Sequence, residues 1–417
     1  MDRISLLDGR VTPDQVRKIH SAEGDPGKAR LRPLILDVWS HIEPRFGGVG
    51  PAASALATAV EHGGMDTRQV AICDQFEKRL ADGIDPRVER ICCSTTRGLA
   101  DFRLARALPE AVEGCDVCHV HGMWLPHCLV VRSLAERFQK PLVSSVHGML
   151  EAWELRNKRL KKSLYSWLFE RRSIGRSSCL RALSEREVAD YRRYGNPGPI
   201  AVVPNGIEQL ERVDTGQYFD QFPELRQKSI VLFLGRVHHK KGVLNLLHAW
   251  RAVAARHRDA HLVVAGPEYE DTGERMKGLI AEFNLKASVT IAGVISGQTK
   301  LAALSSARYF CLPSFSEGLS VAVLEALSIG LPVVITPECN INGVGAMMAG
   351  RVTSNKVDEL ADALISCLDA TSSEWLAMSG AAQKLARSQY DWGQVARTMR
   401  SVYEWLLGGS RPSCVVA

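Results

Sequence analysis

The chain has 417 residues, of which 46% are hydrophobic and 24% charged, with a formal net charge of +6. That length exceeds one compact core and predicts two or three domains, while the composition is that of an ordinary soluble globular protein. No run approaches the roughly 18 uninterrupted apolar residues that span a bilayer, and eleven cysteines in so long a chain imply reduced thiols rather than a disulfide framework.

The N-terminal MDRISLLDGRVTPDQ mixes acids with bases and lacks the apolar segment of a signal peptide, which predicts a cytoplasmic protein. Residues 1–30 are polar, with Gly and Pro near 24–27, and read as a peripheral extension. Apolar runs at 34–39, 117–120, 142–146 and 200–203 then read as strands, separated by helical stretches such as 51–62 and 127–138. Strands alternating with helices build a parallel sheet covered on both faces. The polar, acidic stretch 208–228 reads as a linker. The same rhythm restarts with strands at 230–235, 261–266, 288–292, 308–312 and 332–335, and helices at 243–257, 273–284, 298–306, 320–329 and 357–369. A last helix, from about Asp391 to Leu407, aligns Trp392, Val395, Met399, Val402 and Leu406 on one face and needs a surface to cover it.

The predicted class is α/β, with two Rossmann-like, doubly wound domains facing each other across a cleft. The expected units are the extension 1–30, an N-terminal domain 31–208, a C-terminal domain 209–390, and 391–417 returning to the N-domain. In such sheets ligands bind at the carboxyl ends of the strands.

Two features of the N-terminal half admit more than one reading. Cys115 and Cys118 form a C-x-x-C followed by His119 and His121. A zinc or redox site fits that spacing, but a second ligand pair is missing, and the segment also reads as a buried strand in which cysteine is a small hydrophobe. Between Arg156 and Arg193 stand twelve Arg or Lys against Glu170, Glu185, Glu187 and Asp190, with Leu160, Leu164, Trp167 and Leu168 at helical spacing. A basic amphipathic helix suits an anionic membrane surface, and a solvated helix face explains it as well. No nucleic-acid motif accompanies the charge, so nucleic acid is not an expected partner.

The chemistry concentrates in the C-terminal half. In SFSEGLSVAVLEALSIGLP, residues 314–332, a strand ends in a turn and Ser320 stands at an N-cap position. First-turn amides there suit a diphosphate. Glu317 and Glu325 flank the site with seven residues between them, and carboxylates accept paired hydrogen bonds from sugar or ribose hydroxyls. The segment GRVHHKKG, 235–242, follows a strand directly and places Arg236 and Lys241 at its carboxyl end. Fixed cations stabilise the charge that a departing diphosphate develops. Arg supplies a planar fork and Lys a point charge.

These two segments resemble the Arg/Lys pair and the E-x7-E motif of the family 4 retaining glycosyltransferases, which have the GT-B fold. The resemblance spans roughly 34–407 and is densest over 200–370, with Pro204-Asn205-Gly206-Ile207 and the G-L-P-V-V run at 330–334. It implies that Arg236 and Lys241 hold the diphosphate of a nucleotide-sugar donor, Glu325 the ribose and Glu317 the transferred sugar, with amides near Leu319 and Ser320 contacting phosphate or sugar. It further implies a glycine-rich loop at Gly47-Gly48 and an active-site histidine at His147. A structural histidine is the alternative for His147, and His121 is left as a cleft-lining residue. Glu208 stands where relatives often carry Asp, and Gly343 where they often carry an acid.

The implied activity is hexosyl transfer with retention, to a saccharide or lipid-linked acceptor, with no cofactor and no metal expected. The fingerprint-like Gly48-Val49-Gly50-Pro51-Ala52-Ala53, with Asp66 or Asp74 downstream, would suit an NAD-dependent oxidoreductase. It lies about eight residues beyond the first strand, too far for the immediate turn such a site needs. A non-catalytic nucleotide-sugar binder of the same fold is the other alternative, although all four paired charges are present.

Overall fold

The computed structural model describes residues 32–40, 48–73, 88–92, 102–150, 170 and 174–417. The extension 1–30, Gly47, Asp74 and most of the basic stretch, 151–169 and 171–173, lie outside this set.

In the N-terminal half, β1 (Leu34–Ser40), β2 (Asp66–Cys73), β3 (Glu89–Cys92), β4 (Val117–His121), β5 (Leu142–Ser145), β6 (Cys179–Ala182) and β7 (Ile200–Val202) pair in parallel, in the order β7-β6-β5-β4-β1-β2-β3. Helices α1 (Val49–His62), α2 (Phe102–Gly114), α3 (Pro126–Arg137) and α4 (Glu185–Tyr194) connect them. The strand order reverses between β1 and β4, the switch point at which open α/β sheets form a crevice.

The C-terminal half repeats the plan. Strands β8 (Ser229–Leu234), β9 (Ala260–Ala265), β10 (Val289–Gly293), β11 (Tyr309–Leu312), β12 (Val333–Ile335) and β13 (Gly350–Val352) lie parallel in the order β10-β9-β8-β11-β12-β13, so its switch point falls between β8 and β11. Around them run α5 (Gly216–Gln221), α6 (Val243–Arg256), α7 (Thr272–Glu282), α8 (Gly297–Ser306), α9 (Val321–Ser328), α10 (Val357–Leu368) and α11 (Ser372–Gln389). Val231, Leu232, Phe233 and Val263 are fully buried, because central parallel strands are covered on both faces.

Several elements escape the apolar-run reading for a common reason. β2 begins DTRQ and β6 reads CLRA, yet Gln69 and Arg181 are buried. Arg181 donates from Nε to the Val203 carbonyl at 3.0 Å and from Nη2 to the Pro204 carbonyl at 2.7 Å, so a charge sits inside a strand that looks polar in sequence. The stretch read as a linker, 208–228, is not a free tether. It holds α5 and a short 3-10 turn at Pro223–Leu225, and it buries Tyr218 and Leu225 in the C-terminal core.

The chain then returns. Helix α12 (Trp392–Leu406) starts at Asp391, whose carboxylate accepts from the amides of Gly393 and Gln394. Val395, Met399, Val402 and Tyr403 pack with Leu56 and Val60 of α1, and Trp392 and Leu406 border the same cluster. Strand β14 (Val415–Val416) adds antiparallel to β7 and covers that edge of the first sheet. Met399 is fully buried in this contact. Met399→Ala is expected to cost about 2–5 kcal/mol of stability, read by chemical denaturation, and a loss below about 0.5 kcal/mol would mean that this helix does not tie the halves together.

Candidate active site

The two loops at the C-terminal switch point are built against each other. After β8 the chain turns through a 3-10 helix at His239–Lys241 and ends it at Gly242, with φ 73°. A Cβ there would lie 2.0 Å from the Pro313 carbonyl oxygen, so only glycine permits this approach. The Phe315 amide donates to the Lys240 carbonyl at 2.8 Å, and the Thr336 hydroxyl to the Ser314 carbonyl at 2.6 Å.

On this frame Glu317 Oε1 accepts from Lys241 Nζ at 2.5 Å and from Ser314 Oγ at 2.6 Å. Both charged side chains are mostly buried, at 16% and 11% exposure, which lets the pair interact more strongly than surface ions do. Asn340 Nδ2 donates to the backbone carbonyls of Glu317 and Gly318 and fixes the turn from below. Arg236 is exposed at the mouth, its guanidinium 5.8 Å from the Tyr269 ring centroid. Glu325 lies one helix away, on α9, and Lys300 of α8 donates to it at 2.7 Å.

Two expectations change. Ser320 stands at the N-cap of α9, but its side chain makes no capping hydrogen bond. Its amide donates to the Cys339 carbonyl at 3.2 Å, so the expected amide contact to phosphate or sugar cannot come from this group as it stands. Leu319, its neighbour, is buried with the C-terminal core. Ser314, Asn340, Lys300 and Tyr269 were not singled out from sequence. Only Ser314, three residues before Glu317, had a spacing that could have suggested its role.

The N-terminal half meets this turn directly. A Cβ on Gly318 would come within 3.1 Å of the His147 carbonyl oxygen and 3.4 Å of Gly148 Cα. Arg186 also reaches across to Glu338 at 3.3 Å. His147 lies just beyond β5 with φ 56°, an unusual conformation for a residue other than glycine. Gly48 precedes α1 as its N-cap. Gly50 of the fingerprint-like run is already buried inside that helix.

Behind His147 lies a buried polar cluster formed by Asp37 of β1 and His119 and His121 of β4. Burial pushes the Asp37 carboxyl up to about 8, with nearby Arg181 opposing the shift. Burial likewise holds His119, His121 and His147 well below the usual imidazole range, and neighbouring imidazoles and Arg181 add to it. Burial lowers Arg181 itself to about 10. Asp37, His119 and His121 bring three ligand-type atoms within 4.8 Å, as do His238, His239 and Glu270 near Arg236. In the first group each ring nitrogen already faces Tyr403, Ser145, His147 or Asp37, so it forms a hydrogen-bond network. Cys115 and Cys118 are both buried, with sulfurs 3.4 Å apart.

Residues 47–206 match the family model for glycosyl transferase 4-like domains, and 214–384 match that for glycosyl transferases group 1. The GDP-mannose:cellobiosyl-diphosphopolyprenol alpha-mannosyltransferase of Xanthomonas campestris is 23% identical over 394 residues, covering 90% of this chain and 98% of that protein. The UDP-Gal:alpha-D-GlcNAc-diphosphoundecaprenol alpha-1,3-galactosyltransferase of Escherichia coli is 28% identical over 276 residues, covering 62% of this chain and 67% of that one. Among solved structures, Anabaena HepE in complex with UDP and glucose superposes with a TM-score of 0.69 at 16% identity, over 90% of this chain and 100% of that one. With adjoining models matching both halves and two parallel sheets laid out as in solved relatives, the chain belongs to the family 4 glycosyltransferases of the GT-B fold.

Proposed function

We propose that this glycosyltransferase moves a hexose-type sugar from a nucleotide-diphosphate sugar to a saccharide or lipid-linked acceptor, with retention of configuration, in polysaccharide or cell-envelope glycan synthesis. The donor binds residues 209–390 and the acceptor faces 31–208, with 391–417 closing back on the N-terminal domain. The carrying observation is the set formed by Lys241, Ser314 and Glu317, which lies in the turn that touches His147 and Gly148 of the other half. Two relatives named above act on diphosphopolyprenol- or diphosphoundecaprenol-linked sugars, which supports the acceptor class.

In this reading Arg236 and Lys241 hold the diphosphate, with Gly47 and Gly48 approaching from the opposite loop. Glu317 orients the sugar hydroxyls, Glu325 the ribose, and His147 a sugar hydroxyl. As the bond from the sugar's anomeric carbon to phosphate oxygen breaks, charge grows on that oxygen, and the two cations stabilise it. The acceptor oxygen bonds to the same face of that carbon, and its proton passes to the departing phosphate. The cations supply the charge that a divalent metal supplies elsewhere, so none is required.

The site of action is the cytoplasm, peripherally on the inner face of the plasma membrane. Among the described residues no helix is long and apolar enough to cross a membrane. Of the twelve basic residues in 156–193, the described ones are engaged within the chain. Arg176 pairs with Glu136, Arg186 with Glu338 and Arg193 with Asp190, while Arg181 and Arg192 donate to backbone carbonyls. Membrane attraction therefore falls to Arg156, Lys158, Arg159, Lys161, Lys162, Arg171 and Arg172.

Lys241→Ala and Glu317→Ala should each lower acceptor-dependent nucleotide release by about a hundredfold or more, with circular dichroism unchanged. Normal turnover in both sinks the site. Replacing Lys158, Arg159, Lys161 and Lys162 by Gln should weaken sedimentation with anionic vesicles, and undiminished binding removes the membrane reading.

A further inference from the structure

The N-terminal half holds a chain of polar groups that the transfer step as written does not use. Asp37 stands in mid-β1, with Oδ1 3.3 Å from His121 Nε2. His121 Nδ1 in turn lies 3.0 Å from His147 Nε2. Asp37 and His121 are almost wholly buried, whereas His147 keeps part of its surface exposed. Its Nδ1 has no hydrogen-bond partner among the described residues. His119 stands beside the chain, with Nδ1 at 2.6 Å from the Tyr403 hydroxyl and Nε2 at 2.7 Å from Ser145 Oγ.

Hydrogen-bond complementarity allows this line two neutral-histidine arrangements. An ionised Asp37 only accepts, so His121 must carry its proton on Nε2 and accept at Nδ1. His147 must then donate from Nε2, which leaves its free Nδ1 an acceptor. A protonated Asp37 donates to His121 Nε2. His121 then donates from Nδ1 to His147 Nε2, and the free Nδ1 of His147 carries a proton.

We propose that Asp37 and His121 are positioning residues that decide, through this chain, whether the free nitrogen of His147 accepts or donates a hydrogen bond. The two states differ by one proton. A proton arriving at His147 Nδ1 sends the Nε2 proton to His121 Nδ1, and the His121 Nε2 proton passes to Asp37. One carboxylate is neutralised and neither histidine ends as an imidazolium. Burial favours this ending, because it raises the Asp37 carboxyl while holding the imidazoles neutral. The charged and titratable groups facing the chain are Arg181 from β6, Cys118 and His119 from β4 and Tyr403 from α12, with His119 Nδ1 3.4 Å from Asp37 Oδ1 and with Glu187 and Tyr191 of α4 beyond Arg181. The group served is a hydroxyl, which can offer or take the hydrogen bond. In this respect the inference rests on His147 as an active-site residue.

The test uses the full chain with 15N-labelled histidine, and His147→Gln assigns its signals. The His147 tautomer should change from Nδ1–H to Nε2–H as pH rises through about 8, the value set by Asp37. Asp37→Asn should hold one tautomer throughout. The same variant should lose the limb of the kcat–pH profile near 8, whatever its kcat at neutral pH, and change the donor KM less than about threefold. A His147 tautomer that does not respond to pH in the unaltered chain overturns the proposal, even if Asp37→Asn fails to fold. A kcat–pH limb near 8 that survives in a folded Asp37→Asn, with His147→Gln inactive, overturns it too. Full activity of His147→Gln with a responsive tautomer removes the active-site reading and leaves the proton coupling supported.

Stability gives an independent arm. The folded chain holds the Asp37 proton more tightly than the unfolded chain, so this stabilisation is complete below the ordinary 3.8 and is lost as pH rises through about 8. Asp37→Asn should therefore flatten the fall in Tm between about pH 4 and pH 8, with the two proteins running parallel above that range. An equal fall in both proteins would show that Asp37 carries no shifted proton.

Discussion

The parallel pairing of β8 with β11 is the constraint on which the C-terminal half depends. Those strands are far apart in sequence, and their adjacency reverses the strand order between them. Their two exit loops must then share one crevice. The chain accommodates this by removing a side chain at Gly242, where the Pro313 carbonyl would otherwise collide. With the loops locked, Lys241 and Glu317 meet although 76 positions separate them. A lysine on a free loop would spend entropy to hold one geometry. Here the backbone bond from Phe315 to Lys240 and the Thr336 hydroxyl donating to the Ser314 carbonyl have already set it.

The N-terminal half solves a different problem. Its central strands carry Asp37, His119, His121 and Arg181 into a sheet interior where unpaired polar groups are costly. Each finds partners from another element, including Tyr403 from the last helix. The returning helix α12 therefore does more than cover α1, because its tyrosine completes the polar network behind His147. One contact pattern links the chain's end to the cleft.

The halves touch where small residues allow it. Gly318 lies against the His147 and Gly148 backbone, and Arg186 spans the gap to Glu338. A larger residue at Gly318 would push the acid-bearing turn off the opposite half. The relative placement of Glu317 and His147 is thus a backbone property as much as a side-chain one.

The α/β rhythm, the strands whose runs are purely apolar, and the charges Arg236, Lys241, Glu317 and Glu325 were legible in the chain alone. Those signals are local, since a strand exit followed by Gly235, Arg236 and Lys241, or by Glu317 ahead of α9, can be read within a dozen residues. Strands β2 and β6 were hidden because their buried Gln69 and Arg181 look like surface residues until partners at Val203, Pro204 and Ser54 are known. Long-range contacts alone pair Lys300 with Glu325, occupy the Ser320 amide, and bring Asp37, His121 and His147 into one line. Each of those facts joins positions distant in the chain. Only the folded sheets bring such groups within hydrogen-bonding distance, and no periodicity or motif spacing carries that information.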